Sequence, residues 1–386
     1  MSGFHASWNV GTVFVAKGVR TFCYGYLGIL LPLYLADVGL SATGIGAFVT
    51  LTLIASALLT WGIRAPAERL GARAALIMLA TLSVVAAVLL LLTHQPWVVV
   101  VAAMLGNVAV GAGETGPFLS IEQVVITRAV EPAQRTAVLS LYNLLGYGAA
   151  AIGAATVALG TPRTLFAGFL AAAVVQVIAY AALGRVRLAA HTPAGTPRAT
   201  PVIRRIAALF ALDSFAGGFV LQSLIAYFLH VRFGLGLEAL GRVFFVAQLL
   251  TAASLLLAPR LARSFGLLPT MVLTHLISNV FLIGIAAAPS AAVAIALLYA
   301  RQLLSQIDIP TRQAWVMTIV PDHEREAAAT TTTLWRTSAQ AVTPLMTGWV
   351  MQSIALSTPF LLGGVLKILY DILLWTTFKH LKPPDE

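Results

Sequence analysis

The chain has 386 residues, 59% hydrophobic and only 10% charged, with a mean hydropathy of +0.90. Soluble domains run at about 45–50% apolar and about 25% charged, and so few polar groups cannot cover a globule of this length, so the solvent for most of the chain is lipid. The net charge of +10 comes from Lys and Arg scattered singly or in pairs between apolar runs, which excludes a nucleic-acid surface, and a single cysteine, Cys23, excludes a disulfide scaffold.

A helix needs about 20 mostly apolar residues to cross a bilayer. Such windows occur twelve times and are too long and too poor in alternation for barrel strands. The first, Trp8–Leu35, carries Lys17 and Arg20 on one face with Thr21 and Tyr24 beside them. No basic stretch precedes it and its apolar run is interrupted, so it reads as a permanent helix, not a cleaved signal. Thr43–Ile63 and Ala74–Thr93 follow, with Glu68, Arg69 and Arg73 between them. The fourth span, Trp97–Thr127, holds Glu122 and also Glu114, within Gly111-Ala-Gly-Glu-Thr-Gly-Pro117. The small residues admit a close neighbour and Pro117 a local break. Gln134–Leu159 and Thr164–Leu183 complete the first half.

A Pro- and Arg-rich stretch from about Gly184 to Arg205 is the longest connection on the side where both termini lie. Beyond it come Ile206–Leu229 with Asp213, Ala239–Pro259, and Leu267–Ala287 with His275, read as a hydrogen-bonded core residue. In the tenth span, Ala291–Ile319, Arg301, Ser305, Asp308 and Arg312 form one helical stripe, with Pro310 placed to kink it. Asp308 and Arg312 form an i,i+4 pair in the favourable order. The eleventh span, Ala327–Ile354, has a Thr330–Thr333 run, Arg336 and Gln340. The twelfth, Pro359–Phe378, has Lys367 and Asp371 at i,i+4, read as a structural pair. The expected domains are a bundle over 1–183, a linker over 184–205 and a bundle over 206–386.

With both termini inside, fifteen Lys and Arg fall in inside loops and three in outside loops, which fixes the orientation by the positive-inside rule. The halves also echo each other. APAERLGARAALIML after the second span answers PRLARSFGLLPTMVL after the eighth, and EQVVITRAVEPAQRTA from Glu122 answers RQAWVMTIVPDHEREA from Arg312. Two matches at corresponding places indicate a duplicated fold.

With twelve spans, a basic central loop and the loop motif after the second and eighth, the chain resembles the major facilitator superfamily over its whole length. Glu68, Arg69, Gly71 and Arg73 fit that family's loop motif, while Arg64 and Ala72 depart from it and the second copy keeps only Gly266. Asn107 stands where many drug–proton antiporters carry Arg in the fourth span, and no antiporter Gly-Pro signature occurs in the fifth. The resemblance implies an all-α integral membrane fold of two pseudo-symmetric six-helix bundles, alternating access, and a monomer.

Charges within spans are expensive in lipid and face the protein interior. Lys17, Arg20, Tyr24, Glu114, Asp213, Arg301, Ser305, Asp308 and Arg336 are therefore the expected substrate or proton cavity. Glu68, Arg69, Arg73, Arg135, Arg312 and Arg325 are the expected cytoplasmic gate, with topology signalling as the alternative. Glu114 is expected to pair with Arg20 and to exchange protons, the alternative being a permanent strut. Trp315 and Trp335 are read as packing residues. No metal-ligand cluster, phosphate loop or catalytic motif occurs in the sequence. The expected protein is a non-enzymatic, cofactor-free secondary transporter in the cell membrane, both termini cytoplasmic. It moves a small solute, coupled to H+ and outward in preference to inward. The alternatives are an anion carrier clamping its solute with Arg20, Arg301 and Arg336, or a membrane sensor that does not transport.

Overall fold

The structure, a computed structural model, describes residues 2–110, 116–131, 134–184, 200–321 and 324–380, with only the backbone of 2–7, 136, 317 and 325–327. Every element among the described residues is helical. The first half comprises α1 (Ser2–Asp37), α2 (Ala42–Gly62), α3 (Arg64–Leu70), α4 (Ala72–Leu92), α5 (Pro96–Leu105), α6 (Pro117–Ala129), α7 (Arg135–Thr156) and α8 (Pro162–Ala181). The second comprises α9 (Pro201–Gly218), α10 (Gln222–Phe233), α11 (Leu237–Phe265), α12 (Leu267–Ala286), α13 (Ala291–Ser305), α14 (Asp308–Ile319), α15 (Arg325–Ser353) and α16 (Thr358–Phe378).

Three expected spans are broken. The fourth divides into α5 and α6. Asn107 takes a positive φ of 48°, and Gly116, at φ 116°, precedes Pro117 at the first turn of α6, a place where proline's missing donor costs nothing. The tenth breaks at Gln306 and Ile307. Pro310 sits one turn later, and a proline ring clashes with the carbonyl four residues back, here that of Gln306. The seventh breaks between α9 and α10, directly after Gly217-Gly218. Helix edges also move outward: Arg204 and Arg205, expected in a loop, lie in the first turns of α9, and Arg260 and Arg263 lie in α11.

Ten segments among the described residues are long and apolar enough to cross a bilayer. The two expected spans not among them have different reasons. The fourth is interrupted, and the eleventh, though 29 residues long as α15, is diluted by its threonines and Arg336. Thr332 of the Thr run, and Thr337 beyond it, donate their hydroxyls to the carbonyls of Ala328 and Thr333, so these hydroxyls are satisfied on their own helix.

The described residues fall into two compact units, within the bounds Met1–Ser41, Phe48–Thr192 and Gly234–Phe245 for one and Ala42–Ala47, Pro193–Phe233 and Val246–Glu386 for the other. In the first, α1 packs on α7 and α8, and α4 on α5, α6 and α8. In the second, α9 packs on α15 and α16, and α12 on α13, α14 and α16. A shift of six spans converts one set of pairings into the other, the three-dimensional form of the duplication. Gly71 and Gly266, after the second and eighth spans, both take positive φ (87° and 83°) at the start of the next helix, a conformation that favours glycine.

Close helix contact recurs at matched places. A Cβ on Gly25 of α1 would strike the carbonyl of Ala150 on α7, and one on Gly153 would strike that of Phe22. In the second unit, a Cβ on Gly218 of α9 would meet Thr343 of α15 at 2.5 Å. Backbones this near one another are how helices gain dispersion energy in lipid, where the hydrophobic effect cannot drive their association.

Candidate functional site: two buried ionic networks

In the first unit Arg20 of α1 and Glu122 of α6 are fully buried. Arg20 binds the carboxylate in bidentate fashion, Nη2 to Oε2 at 2.6 Å and Nη1 to Oε1 at 3.2 Å. Tyr142 of α7 donates to Oε2 at 2.6 Å and Tyr180 of α8 to Oε1 at 2.7 Å. The Tyr180 hydroxyl also accepts from Arg20 Nη1 at 2.7 Å, and the guanidinium lies 4.4 Å from the Phe118 ring centroid. Four helices thus share one saturated pair, the arrangement that offsets the desolvation of two charges. Lys17 Nζ sits 4.5 Å from the Tyr142 ring centroid, where Gly146 leaves room for its stem. Tyr24 donates to the carbonyl of Gly106 at 3.0 Å.

The second unit holds a larger network. Asp213 of α9 accepts from Lys367 Nζ of α16 at 2.6 Å on Oδ1 and from Arg312 Nη1 of α14 at 3.0 Å on Oδ2. Arg312 also meets Asp308 Oδ2 at 3.2 Å, the expected i,i+4 pair. Lys367 therefore reaches across to α9 and not along its own helix to Asp371. Asp371 instead faces His275 Nδ1 of α12 at 2.8 Å and accepts from Asn279 Nδ2 at 3.2 Å. The ring of His275 bridges this group to the Asp213 cluster. Its Nε2 lies 3.4 Å from Lys367 Nζ and 3.5 Å from Asp213 Oδ1. Asp213, His275 and Asp308 bring donor atoms within 4.8 Å of one another, but Lys367 and Arg312 already occupy the Asp213 oxygens, so the protein's own cations stand where a metal ion would.

Two guanidiniums at the margin have neutral partners alone among the described residues. Arg301 Nη1 of α13 donates to the Gln302 carbonyl at 3.0 Å, and that oxygen also accepts from Ser305 at 3.1 Å. The buried Nε of Arg301 has no acceptor. Arg336 Nε of α15 donates to Ser214 at 3.1 Å. Arg336 lies within electrostatic range of Arg312 as well as of Asp213 and Asp308.

The expected site residues other than Glu114 thus have places. The second unit gathers Asp213, Arg301, Ser305, Asp308 and Arg336 into one neighbourhood, with Arg312, expected at the gate, buried in its centre. Lys17, Arg20 and Tyr24 belong to the first unit, where Glu122 places a carboxylate on Arg20. Glu114 lies outside the described residues. Of the other gate residues, Glu68 and Arg69 sit exposed on α3 and Arg73 exposed in the first turn of α4. Arg135, the first residue of α7, donates its Nε to the carbonyl of Val130 at the end of α6 at 3.4 Å. Arg325 begins α15, its side chain outside the described atoms. His275 is the hydrogen-bonded core residue expected, while Asn279 carries no signal in the sequence, its partner Asp371 being 92 residues distant. Trp315 packs edge-on to Phe378 at 5.2 Å.

Residues 13–325 match the sequence profile of the Major Facilitator Superfamily. The uncharacterized membrane protein YJR124C of Saccharomyces cerevisiae is 23% identical over 97% of this chain and 94% of its own length. Among solved structures, the nucleoside transporter NupG superposes with a TM-score of 0.79 at 12% identity, covering 96% of this chain and 99% of that one. The inward-open xylose transporter XylE from E. coli does so with a TM-score of 0.75 at 14% identity, covering 97% of both. The profile match spans most of the sequence and the packing within each unit repeats with the six-span period, so this chain belongs to the Major Facilitator Superfamily and is a membrane transporter of a small solute.

Proposed function

We propose that the protein is a proton-coupled secondary transporter working by alternating access, in a cell membrane with both termini cytoplasmic. The observation that carries this reading is the sharing of Asp213. One buried carboxylate is contacted by Lys367, Arg312 and His275 from three other helices. A proton arriving in this group, at a carboxylate or at His275, changes which cations Asp213 holds and so changes the packing of α9, α12, α14 and α16 together. Such a device couples protonation to helix movement, the requirement for a bistable carrier. The fully buried Arg20–Glu122 pair in the first unit, held by two tyrosine hydroxyls, ties four helices together.

Glu68, Arg69, Arg73, Arg135 and Arg325 belong, in this reading, to a cytoplasmic gate. Arg312 acts instead in the central network, and Glu114 remains a second candidate proton carrier.

The test uses purified protein in vesicles loaded with a pH-sensitive dye and challenged with labelled nucleosides, pentoses, amino acids and monocarboxylates. A solute-evoked pH change, lost in Asp213→Asn, is expected. Labelled solute crossing with no pH change refutes proton coupling, and no flux of any solute under any gradient favours a sensor.

A further inference from the structure

We infer that the solute carries an anionic oxygen group, a carboxylate or its equivalent, recognised by Arg301 and Arg336. This rests on the transport reading but not on proton coupling. The membrane-embedded groups of the second unit are Arg301, Arg312, Arg336 and Lys367 against Asp213, Asp308 and Asp371, a surplus of at least one positive charge. Uncompensated charge at this depth is costly. The surplus is localised, because Lys367 and Arg312 make direct ion pairs with carboxylates, while Arg301 and Arg336, though within electrostatic range of Asp213 and Asp308, hydrogen-bond only neutral groups among the described residues.

Three details show an incomplete site and not a strut. Arg301 Nε is buried with no acceptor, a state that native interiors avoid. The Gln302 carbonyl accepts from both Arg301 and Ser305, doing what one carboxylate oxygen does better. Arg336 stands near the like charge of Arg312, and its one hydrogen-bond partner among the described residues is the Ser214 hydroxyl. An anionic group brought to Arg301 supplies the missing acceptor, one brought to Arg336 screens its repulsion with Arg312, and either cancels the surplus. Charge-assisted bonds from Arg to carboxylate are the strongest available for the purpose. Arg20, expected to join such a clamp, is committed to Glu122 and Tyr180.

The experiment follows thermal unfolding of the full chain in detergent with benzoate, lactate and inorganic phosphate, each beside a neutral counterpart (benzyl alcohol, lactamide, glycerol), and with phosphatidylglycerol micelles as a separate arm. At least one anion is expected to raise the midpoint with concentration, as a ligand of the folded state does, while its neutral counterpart does not. Arg336→Gln and Arg301→Gln should each weaken that anion tenfold or more, with Arg336→Lys in between. Arg301→Gln removes an uncompensated charge, so the unliganded variant should unfold no earlier than wild type, whereas loss of a strut would lower its midpoint. Anion-blind stabilisation, no response to any of the three anions, full anion response in both glutamine variants, or a response to phosphatidylglycerol alone would each overturn the inference. A neutral solute driven by a pH gradient would sink it while leaving proton coupling intact. Anion binding without a solute-evoked pH change would do the reverse.

Discussion

Arg20 and Asp213 hold equivalent positions in the two halves of the repeat and carry opposite charge. Arg20-Thr-Phe on α1 aligns with Asp213-Ser-Phe on α9, and five residues on, Gly25 and Gly218 make the matching close crossings onto α7 and α15. Their partners correspond too: Glu122 opens the repeated segment that Arg312 opens in the second half. The duplicated fold keeps one ion pair between its first and fourth spans with the sign reversed.

That reversal predicts a rescue. Arg20→Glu or Glu122→Arg alone leaves like charges buried together and should lower stability by at least about 3–5 kcal/mol, the usual cost of breaking a buried pair. Arg20→Glu combined with Glu122→Arg should recover a substantial part, because Tyr142 and Tyr180 can donate to either carboxylate. Thermal unfolding in detergent measures it, and additive losses in the double variant would show that the pair does not act as a unit.

The sharing of Asp213 predicts coupling across three helices. Asp213→Asn strands Lys367, leaves Arg312 with Asp308 as its remaining ion-pair partner among the described residues, and should cost about 3–5 kcal/mol. Adding Lys367→Met should cost less than that variant alone, since it removes the stranded cation. A double-variant cycle with equal, independent losses would contradict the network geometry.

His275 joins Asp371 to the rest. His275→Phe leaves Asp371 with Asn279 as its remaining hydrogen-bonding neighbour among the described residues and should destabilise by about 1–3 kcal/mol. The combination with Asp371→Asn should cost less than the two losses added together. Unfolding midpoints of the three variants decide this.

The glycine crossings give a sharp contrast on one pair of helices. Gly25→Ala and Gly153→Ala force backbone apart and should each cost about 1–3 kcal/mol. Gly11→Ala and Gly148→Ala, where a Cβ meets nothing within 4 Å, should be neutral or stabilise by up to about 1 kcal/mol through helix propensity. Equal effects in both classes would mean the crossings are looser than described.

Much of this fold is legible along the chain, because a membrane helix announces itself locally: apolar length gives the spans and Pro117 and Pro310 give two of the three breaks. The break after Gly218 was missed, since paired glycines inside an apolar run signal close packing as readily as an interruption. Embedded charge drew attention to Arg20, Asp213, Arg301, Asp308 and Arg336 and gave the Asp308–Arg312 pair, but none of the pairings between helices. Lys367 and Asp371 are ideal i,i+4 neighbours, yet Lys367 goes to Asp213 and Asp371 to His275, because partners on other helices win where burial leaves no water to share. An alignment of α1 with α9 would have put Arg20 opposite Asp213 and, with the Glu122 and Arg312 repeat already visible, suggested both pairs.

The threonine-rich α15 carries a consequence for biosynthesis. With Arg336 and Gln340 midway along it and hydroxyls in place of aliphatic side chains, it is too polar to partition into the bilayer by itself, where one arginine at the centre already costs about 2.5–3.5 kcal/mol. Its closest packing is with α9, made more than a hundred residues earlier on the ribosome. The translocon must therefore hold or readmit α9 until α15 emerges, so that the eleventh span is delivered to lipid as half of a preformed pair.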